Sequence, residues 1–200
     1  MATGHTAAAY VLTGGESCRM GTDKGLLEIG GRPLALRMVE LVRPMVAEVA
    51  LVGAPERYAH LGVPVLADSE AKRAPLTGIV TALRDTRHDW NLVLACDLPF
   101  LEAGFLEFLL AAASASERDC AVPQSADGWQ PLCAVYHRRC LPAFERVLAS
   151  NYPKISVAYE TLRVHAITPD QLARFAFSER MFKNMNSRQD YEEAKRILES

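Results

Sequence analysis

Short apolar runs alternate with amphipathic segments along the chain. The apolar runs are the length of buried strands, and the segments between them place apolar residues at helical spacing. This alternation is typical of an α/β fold, in which helices cover both faces of a mostly parallel sheet. We therefore predict a three-layer α/β/α sandwich with a Rossmann-like sheet. Strands are predicted at 8–12, 49–52, 63–66, 91–95, 120–123, 132–136 and 163–167, and helices at 33–42, 77–83, 103–113, 141–149 and 187–198.

One domain is expected from the length of 200 residues, half of which are hydrophobic. A chain of this size buries about 70% of its extended surface on folding, so it needs no disulfide or metal to hold a core. No repeat, low-complexity block or change in composition marks a linker. Ligands of such sheets bind at the carboxyl ends of the strands, and the functional residues are expected there.

Charge and cysteine content exclude several classes of partner. The net charge of −2 provides no basic field for a nucleic-acid backbone or an anionic membrane. No apolar run approaches the roughly 18–20 residues of a membrane span, and the first residues lack the basic start of a signal peptide. The five cysteines are odd in number and form no C-x-x-C pair, which favours free thiols in a reducing compartment. We therefore expect a cytoplasmic protein.

The first predicted strand runs into a glycine-rich stretch, TGGESCRMGTDK, at residues 13–24. Glycines let the backbone approach a ligand closely, and successive N–H groups there can bind an anion. Arg19 adds a planar guanidinium and Lys24 a point charge, so the stretch predicts a triphosphate cradle. It is not a Walker A motif, because Lys24 follows Asp23 rather than a glycine. The alternative is a surface loop with two solvated cations.

Two aspartates follow predicted strands. Asp97 comes directly after the strand in LVLACDLPFL, and a carboxylate at a strand's carboxyl end is well placed to hold Mg²⁺. Asp68 follows the weaker strand that ends in VLADS. The alternative for each is a turn aspartate that bonds to nearby backbone N–H groups.

The stretch VLTGGESCRMGTDKGLLEIGGRPL, residues 11–34, resembles the signature of the sugar-nucleotidyltransferase-like superfamily. Within it the match is to molybdenum cofactor guanylyltransferases, whose pattern is Leu-Ala-Gly-Gly, then Arg-Met-Gly, then Asp-Lys. CDLPF, at residues 96–100, is similar to the magnesium-binding motif of that family, and PLTG, at residues 75–78, is similar to its Pro-Leu-Ala-Gly turn. NMNSRQD, at residues 184–190, is a looser match to its Asn-x-Asn-Thr-Pro-Glu-Asp segment.

The resemblance implies one nucleotidyltransferase domain over residues 1–200, with nucleotide binding in the N-terminal half and acceptor binding in the C-terminal half. The implied reaction transfers GMP from GTP to the molybdopterin cofactor and releases pyrophosphate. The implied catalytic residues are Arg19, Lys24 and Asp97, and the implied ligands of the cofactor Mg²⁺ are Asp97 and Asn186. The implied nucleotide-binding residues are Leu12, Thr13, Gly14, Gly15, Lys24, Asp68, Gly78 and Asp97. Further partners on this reading are proteins that insert or accept the cofactor, and the chain is a monomer or a weak homo-oligomer.

Two positions depart from the family pattern. Thr13 stands where the family usually has Ala, and Gly53 stands where it often has an Asn that contacts the nucleotide. Both bear on the choice of base, so a molybdopterin cytidylyltransferase or another nucleotidyltransferase of the same fold stays an alternative. A nucleotide-binding module without turnover is a second alternative, disfavoured by the presence of Lys24 and Asp97.

The acceptor side has weaker signals. Trp129 precedes a predicted strand and is suited either to stack on a pterin or, as is more usual, to pack in the core. Solvated surface charge is the default interpretation of Arg138, Arg139 and Lys154, and a basic acceptor surface is the alternative.

Overall fold

The computed structural model describes residues 7–13, 23–68 and 74–200. Ten strands are described in these ranges, and seven of them form the path of a central sheet in the order β10-β7-β9-β6-β1-β4-β5, with β8 paired to β7. The strands are β1 (Ala7–Leu12), β2 (Glu28–Ile29), β3 (Arg32–Pro33), β4 (Glu48–Gly53), β5 (Val65–Ala67), β6 (Trp90–Ala95), β7 (Cys120–Ser125), β8 (Gly128–Trp129), β9 (Cys133–His137) and β10 (Val164–Ile167).

The sheet is mostly parallel. β1 pairs in parallel with β4 and β6, β4 with β5, and β10 with β7. β9 is antiparallel to both of its neighbours, β6 and β7. The carboxyl ends of β1, β4, β5, β6 and β7 therefore meet at one edge of the sheet, which we call the carboxyl edge. The predicted α/β class with a mostly parallel sheet is confirmed.

Eight α-helices are described in the same ranges of the chain. They are α1 (Leu34–Val42), α2 (Pro55–Tyr58), α3 (Pro75–Asp85), α4 (Ala103–Ser114), α5 (Leu141–Leu148), α6 (Ile155–Tyr159), α7 (Pro169–Arg174) and α8 (Arg188–Leu198). Every predicted strand and helix is present, with ends shifted by two residues at most. One detail was wrong, because Pro33 lies just before α1 and pairs with Glu28 in the β2–β3 hairpin instead of entering the first turn.

The core has two layers, one on each face of the sheet. Side chains of β1 alternate between them: Ala7, Ala9 and Val11 pack with α1 and α4, whereas Ala8, Tyr10 and Leu12 pack with α3 and α5. This is the two-residue period of a strand that is buried on both faces. The carboxyl ends of β1 and β6 are thereby packed from both sides, which fixes Thr13 and Asp97 relative to each other across the sheet.

Helix α8 returns the end of the chain to the carboxyl edge. Ser187 caps it, and the Ser187 and Asp190 side chains form the predicted capping box. Ala194 of α8 is buried with Ile29, Leu34 and Met185 in a small third cluster. The segment just before α8 is thereby fixed against the hairpin β2–β3. In the described ranges, the structure has no helix long and apolar enough to cross a membrane.

Candidate active site

Three polar side chains from distant parts of the chain meet at the carboxyl edge. The Lys24 ammonium donates one hydrogen bond to Asp97 Oδ2 at 2.9 Å and another to Asn186 Oδ1 at 2.9 Å. The Lys24 and Asp97 side chains are 15% and 18% exposed, so solvent screens their attraction less than at an open surface. The structure thus brings together three of the residues singled out from the sequence.

The end of β6 places Asp97. The Cys96 N–H donates to the carbonyl of Leu12 at 3.1 Å, which prolongs the pairing of β6 with β1 by one residue. Asp97 then turns out of the sheet into a Cys-Asp-Leu-Pro turn. Burial raises the pKa of the Cys96 thiol well above its usual range, so this thiol stays neutral beside the site.

A single turn of 3-10 helix, Lys24–Leu26, places Lys24. Asp23 caps this turn by accepting a hydrogen bond from the Gly25 N–H at 3.1 Å. Leu26 packs against the α1 side of the core. The residues on either side of Lys24 in the sequence therefore fix the position of its backbone.

Backbone bonds on both sides place Asn186. The N–H of buried Met185 donates to the carbonyl of Asp97 at 3.0 Å, which ties the C-terminal segment directly to the turn after β6. The N–H of Asn186 donates to Asp190 Oδ2 at 3.1 Å. The hydrogen bond from Ser187 lowers the pKa of Asp190, which keeps this carboxylate charged as an acceptor.

The predicted nucleotide-binding residues Leu12, Thr13, Gly78 and Asp68 lie along the same edge, over β1 and β5. A Cβ at Gly78 would lie 2.9 Å from the Leu12 Cδ1, so glycine there lets α3 pack closely on β1 with the Leu12 side chain in its present position. Asp68 accepts hydrogen bonds from Thr77 Oγ1 at 3.1 Å and Thr81 Oγ1 at 3.4 Å, which fixes its carboxylate against α3. The binding role of these four residues stays a prediction. Gly14, Gly15 and Arg19 lie outside the described residues.

The two departures from the family pattern meet in space. Thr13 is buried, and both its N–H and its Oγ1 donate to the carbonyl of Val52, at 2.9 and 3.1 Å. A Cβ at Gly53 would lie 2.2 Å from Thr13 Oγ1. The Thr13 hydroxyl thus fills the space that a side chain at position 53 would need.

The tyrosine Tyr58 is a part of this edge that sequence reasoning missed. It is the last residue of α2, and its side chain is almost wholly buried. Its hydroxyl contacts both the Asp23 carboxylate and the carbonyl of Thr13, the latter at 3.2 Å. A tyrosine in an amphipathic segment is ordinarily a packing residue, so no pattern around Tyr58 predicts that its hydroxyl contacts Asp23 and Thr13.

A cleft of about 410 Å³ opens between α3, β8 and α6, where the sequence predicts acceptor binding. Leu76, Trp129, Pro131 and Tyr159 contribute apolar surface to it, and Lys154 adds a cation. Trp129 packs edge-on against Tyr159, with ring centroids 5.3 Å apart. Trp129 is half-buried, so it both packs and presents a face to the cleft.

Arg138 and Arg139 are surface charges, as the default interpretation has it, and they do not share an acceptor surface with Lys154. β9 runs antiparallel to β6 with His137 opposite Trp90, so the residues after His137 lie at the edge remote from Asp97. There Arg138 pairs with Asp89 at 3.0 Å and Arg139 with Asp119 at 2.8 Å. Of the three cations only Lys154 is near the carboxyl edge.

The fold of the chain, with a lysine, a carboxylate and an amide gathered at its carboxyl edge, is that of a nucleotidyltransferase-like protein, as the comparisons with known proteins show. Residues 9–164 match the family model of the MobA-like NTP transferase domain, and the chain belongs to that family.

Relatives match over nearly the whole chain. A probable molybdenum cofactor guanylyltransferase of Carboxydothermus hydrogenoformans is 34% identical over 188 residues, 94% of each chain. One from Pelotomaculum thermopropionicum is 33% identical over 97% of this chain and 94% of its own. Among solved structures, molybdopterin-guanine dinucleotide biosynthesis protein A from Archaeoglobus fulgidus superposes with a TM-score of 0.82 at 26% identity, covering 96% of this chain and 98% of its own.

Proposed function

We propose that the protein transfers GMP from GTP to the molybdopterin cofactor, forming the guanine dinucleotide cofactor and pyrophosphate. The observation that carries the proposal is the meeting of Lys24, Asp97 and Asn186 at the carboxyl edge of a MobA-like sheet. The names of the relatives supply the substrates. Nucleotidyl transfer itself agrees with the family to which the chain belongs.

In the proposed reaction the terminal phosphate of the molybdopterin attacks the α-phosphorus of GTP. A bond forms between the acceptor oxygen and the α-phosphorus, and the bond from that phosphorus to the bridging oxygen breaks. The acceptor is already an anion, so no general base is needed. The task of the protein is then to hold two anions in line and to offset their charge.

Lys24 and Arg19 are assigned to offset that charge. The Lys24 ammonium is held at the carboxyl edge by two acceptors, so it need not reorganise far to meet phosphate oxygens. A preorganised cation of this kind is worth more than a mobile one, because its orientation is set before the reaction. The ends of β1 and β5, with Leu12, Thr13, Gly14, Gly15, Asp68 and Gly78, are assigned to the nucleoside.

The oxygens of Asp97 and Asn186 fit a magnesium ion. Both accept a hydrogen bond from the Lys24 ammonium, and each side chain keeps oxygen lone pairs that the ammonium does not use, so both can bind an ion while Lys24 stays in place. Mg²⁺ commonly takes only one or two protein oxygens and completes its shell with water and phosphate. When bound there, the ion would neutralise charge on the phosphates. Asp97 and Asn186 are the residues that would hold it.

The cleft beside Trp129 is assigned to the acceptor. Its aromatic and proline surface suits a flat ring system, and Lys154 suits an anionic group. Its wall includes Leu76, one residue before Thr77, which donates to Asp68. The nucleotide and acceptor regions are thus contiguous through the start of α3. The described cysteines are free thiols, in keeping with the proposed cytoplasmic location.

A thermal-shift panel tests the nucleotide. GTP, CTP, ATP and UTP are each added with and without Mg²⁺, and the melting temperature is recorded. A ligand at about 100 times its Kd stabilises the native state by roughly 2.7 kcal/mol, which raises Tm by several degrees. We expect the largest rise with GTP and Mg²⁺ together. A selective rise with CTP would instead make the protein a cytidylyltransferase, and equal shifts with all four nucleotides would contradict the assignment of a base-selective site.

A further inference from the structure

The Tyr58 hydroxyl contacts two parts of the proposed active site, but the proposed reaction gives it no role. It contacts the Asp23 carboxylate and the Thr13 carbonyl. These two residues flank residues 14–22 in the sequence. One buried hydroxyl therefore joins the end of β1 to the residue directly before Lys24.

Both contacts of this hydroxyl are to acceptors, so the hydroxyl must be the donor. A phenol carries one hydrogen, so it makes a full hydrogen bond to only one of these two oxygens at a time. Burial, together with the neighbouring Asp23, raises the pKa of Tyr58 well above its usual range. The hydroxyl accordingly keeps its hydrogen throughout the physiological pH range.

The chain leaves room for this arrangement at Gly25. A Cβ at Gly25 would lie 2.8 Å from Tyr58 Oη and 3.0 Å from Cε1, closer than a side chain can pack. A Cβ at Gly53, by contrast, would lie 3.4 Å from Tyr58 Cε2, which is ordinary contact. The tyrosine hydroxyl thus fits against the turn that carries Lys24 because Gly25 has no side chain.

Asp23 is held from three directions. Its Oδ1 accepts from the Tyr58 hydroxyl and from the Gly25 N–H, and its Oδ2 accepts from Arg57 Nη1 at 3.1 Å. Tyr58 and Arg57 are neighbours at the end of α2, whereas Gly25 belongs to the turn that carries Lys24. The carboxylate is therefore a link between α2 and that turn.

From these contacts we propose that Tyr58 is a positioning residue for Lys24, acting through Asp23; the proposal rests on the proposed transfer reaction. The Arg57–Asp23 pair is half-open to solvent on the arginine side and contributes less, since an exposed ion pair is weakly stabilising. The buried Tyr58 hydroxyl is therefore the main contact that orients the turn holding Lys24. Without it Asp23 keeps its cap on Gly25, but the turn loses its fixed position relative to β1.

The test is the variant Tyr58→Phe, which keeps the ring and removes the hydroxyl alone. A displacement of about 1 Å in a group that orients reactants costs up to about 100-fold in rate. We expect kcat for transfer to fall by about 10-fold to 100-fold, with a smaller change in KM for GTP. In a Lys24→Ala background the same substitution should cause no further loss, because it acts through that lysine. An equal loss in both backgrounds would overturn the proposal.

A second readout is independent of transfer activity. Each protein is treated with a limiting amount of an amine-acetylating reagent, and the modification of each lysine is measured by mass spectrometry. Lys24 should be modified severalfold faster in Tyr58→Phe than in wild type, whereas Lys183 and Lys195 should react at unchanged rates. If Lys24 reacts at the wild-type rate, Tyr58 does not position it, whatever the reaction of the enzyme proves to be.

The matched control is Tyr10→Phe. Tyr10 is also buried, and its hydroxyl also donates to a carboxylate, that of Asp85, at 3.3 Å. Asp85 ends α3, remote from Asp97. This variant should leave both kcat and the Lys24 acetylation rate at wild-type values, and a loss equal to that of Tyr58→Phe would show that any buried hydroxyl has the same effect.

Discussion

Replacing Asp97 by Asn should lower the rate of nucleotidyl transfer by about 10²–10³-fold or more while the protein stays folded. The substitution keeps the size of the side chain and removes its charge. Lys24 loses its carboxylate partner and keeps Asn186 as an acceptor. Of the two described residues assigned to the metal, Asp97 and Asn186, only Asp97 is charged, so the substitution removes the one charged ligand. The measurement is kcat at saturating GTP and Mg²⁺, with circular dichroism to confirm the fold.

The control for this variant is Asp89→Asn. Asp89 also pairs with a cation, Arg138, at 3.0 Å, but at the opposite edge of the sheet. Loss of an exposed ion pair costs about 0–1 kcal/mol of stability, and transfer should proceed at the wild-type rate. Near-normal turnover in Asp97→Asn would refute the role of Asp97 in the reaction.

Replacing Gly53 by Ala should lower the free energy of unfolding by about 1–3 kcal/mol, the usual cost of overpacking a well-packed region. The new Cβ would lie 2.2 Å from Thr13 Oγ1, so one of the two must move. Thr13 cannot turn away freely, because its side chain is stiff at χ1 and its hydroxyl donates to Val52. Urea denaturation of the purified protein measures the loss.

The same substitution should cost almost nothing in a Thr13→Ala background. The remaining neighbours of the new Cβ, Tyr58 Cε2 at 3.4 Å and Thr13 Cβ at 3.5 Å, are at ordinary contact distance. A double-mutant cycle therefore gives a coupling energy close to the whole cost of Gly53→Ala. An equal cost in both backgrounds would mean that the two positions are independent.

Gly104→Ala is the matched control for this cycle. Gly104 is exposed in α4, and no atom lies within 4 Å of a Cβ built there. Alanine has the higher helix propensity, so this variant should be neutral or up to about 1 kcal/mol more stable. Together the three variants separate steric conflict from the general effect of adding a methyl group.

The contact between positions 13 and 53 also links the two departures from the family pattern, Thr13 and Gly53. While Thr13 fills the space above Gly53, a longer side chain at position 53 has no room at its Cβ. The two departures are therefore in steric contact at the ends of β1 and β4. Any base contact that the family makes from position 53 must be supplied in this chain by other groups.

Much of the architecture was predictable because its elements are long and periodic. β1 and β6 are continuous apolar runs, and α8 begins with a capping box that short-range chemistry specifies. The short elements α2, α6 and α7 were missed, since four to six residues show little periodicity. The direction of β9 was not predictable either, because a strand pattern carries no sign of its orientation, and the edge of the sheet at which Arg138 and Arg139 lie depends on that direction.

The candidate site was predictable only in part. Motif resemblance singled out Lys24, Asp97 and Asn186. Asp97 lies 73 positions and Asn186 162 positions from Lys24, and no pattern in the sequence shows that both reach the Lys24 ammonium. The contact of Tyr58 with the site could not be predicted from the sequence, because its position in the pattern is that of a core residue. Its contact with Asp23 depends on how α2 packs, which is a property of the folded sheet.

Direct transfer of labelled nucleotide tests the central claim. The protein is incubated with Mg²⁺, molybdopterin cofactor and GTP carrying ³²P at the α-position, and in parallel with equally labelled CTP. The account predicts that label from GTP appears in the cofactor with one pyrophosphate released per transfer, and that little appears from CTP. Label from CTP alone, or no transfer from any nucleotide that binds, would contradict it.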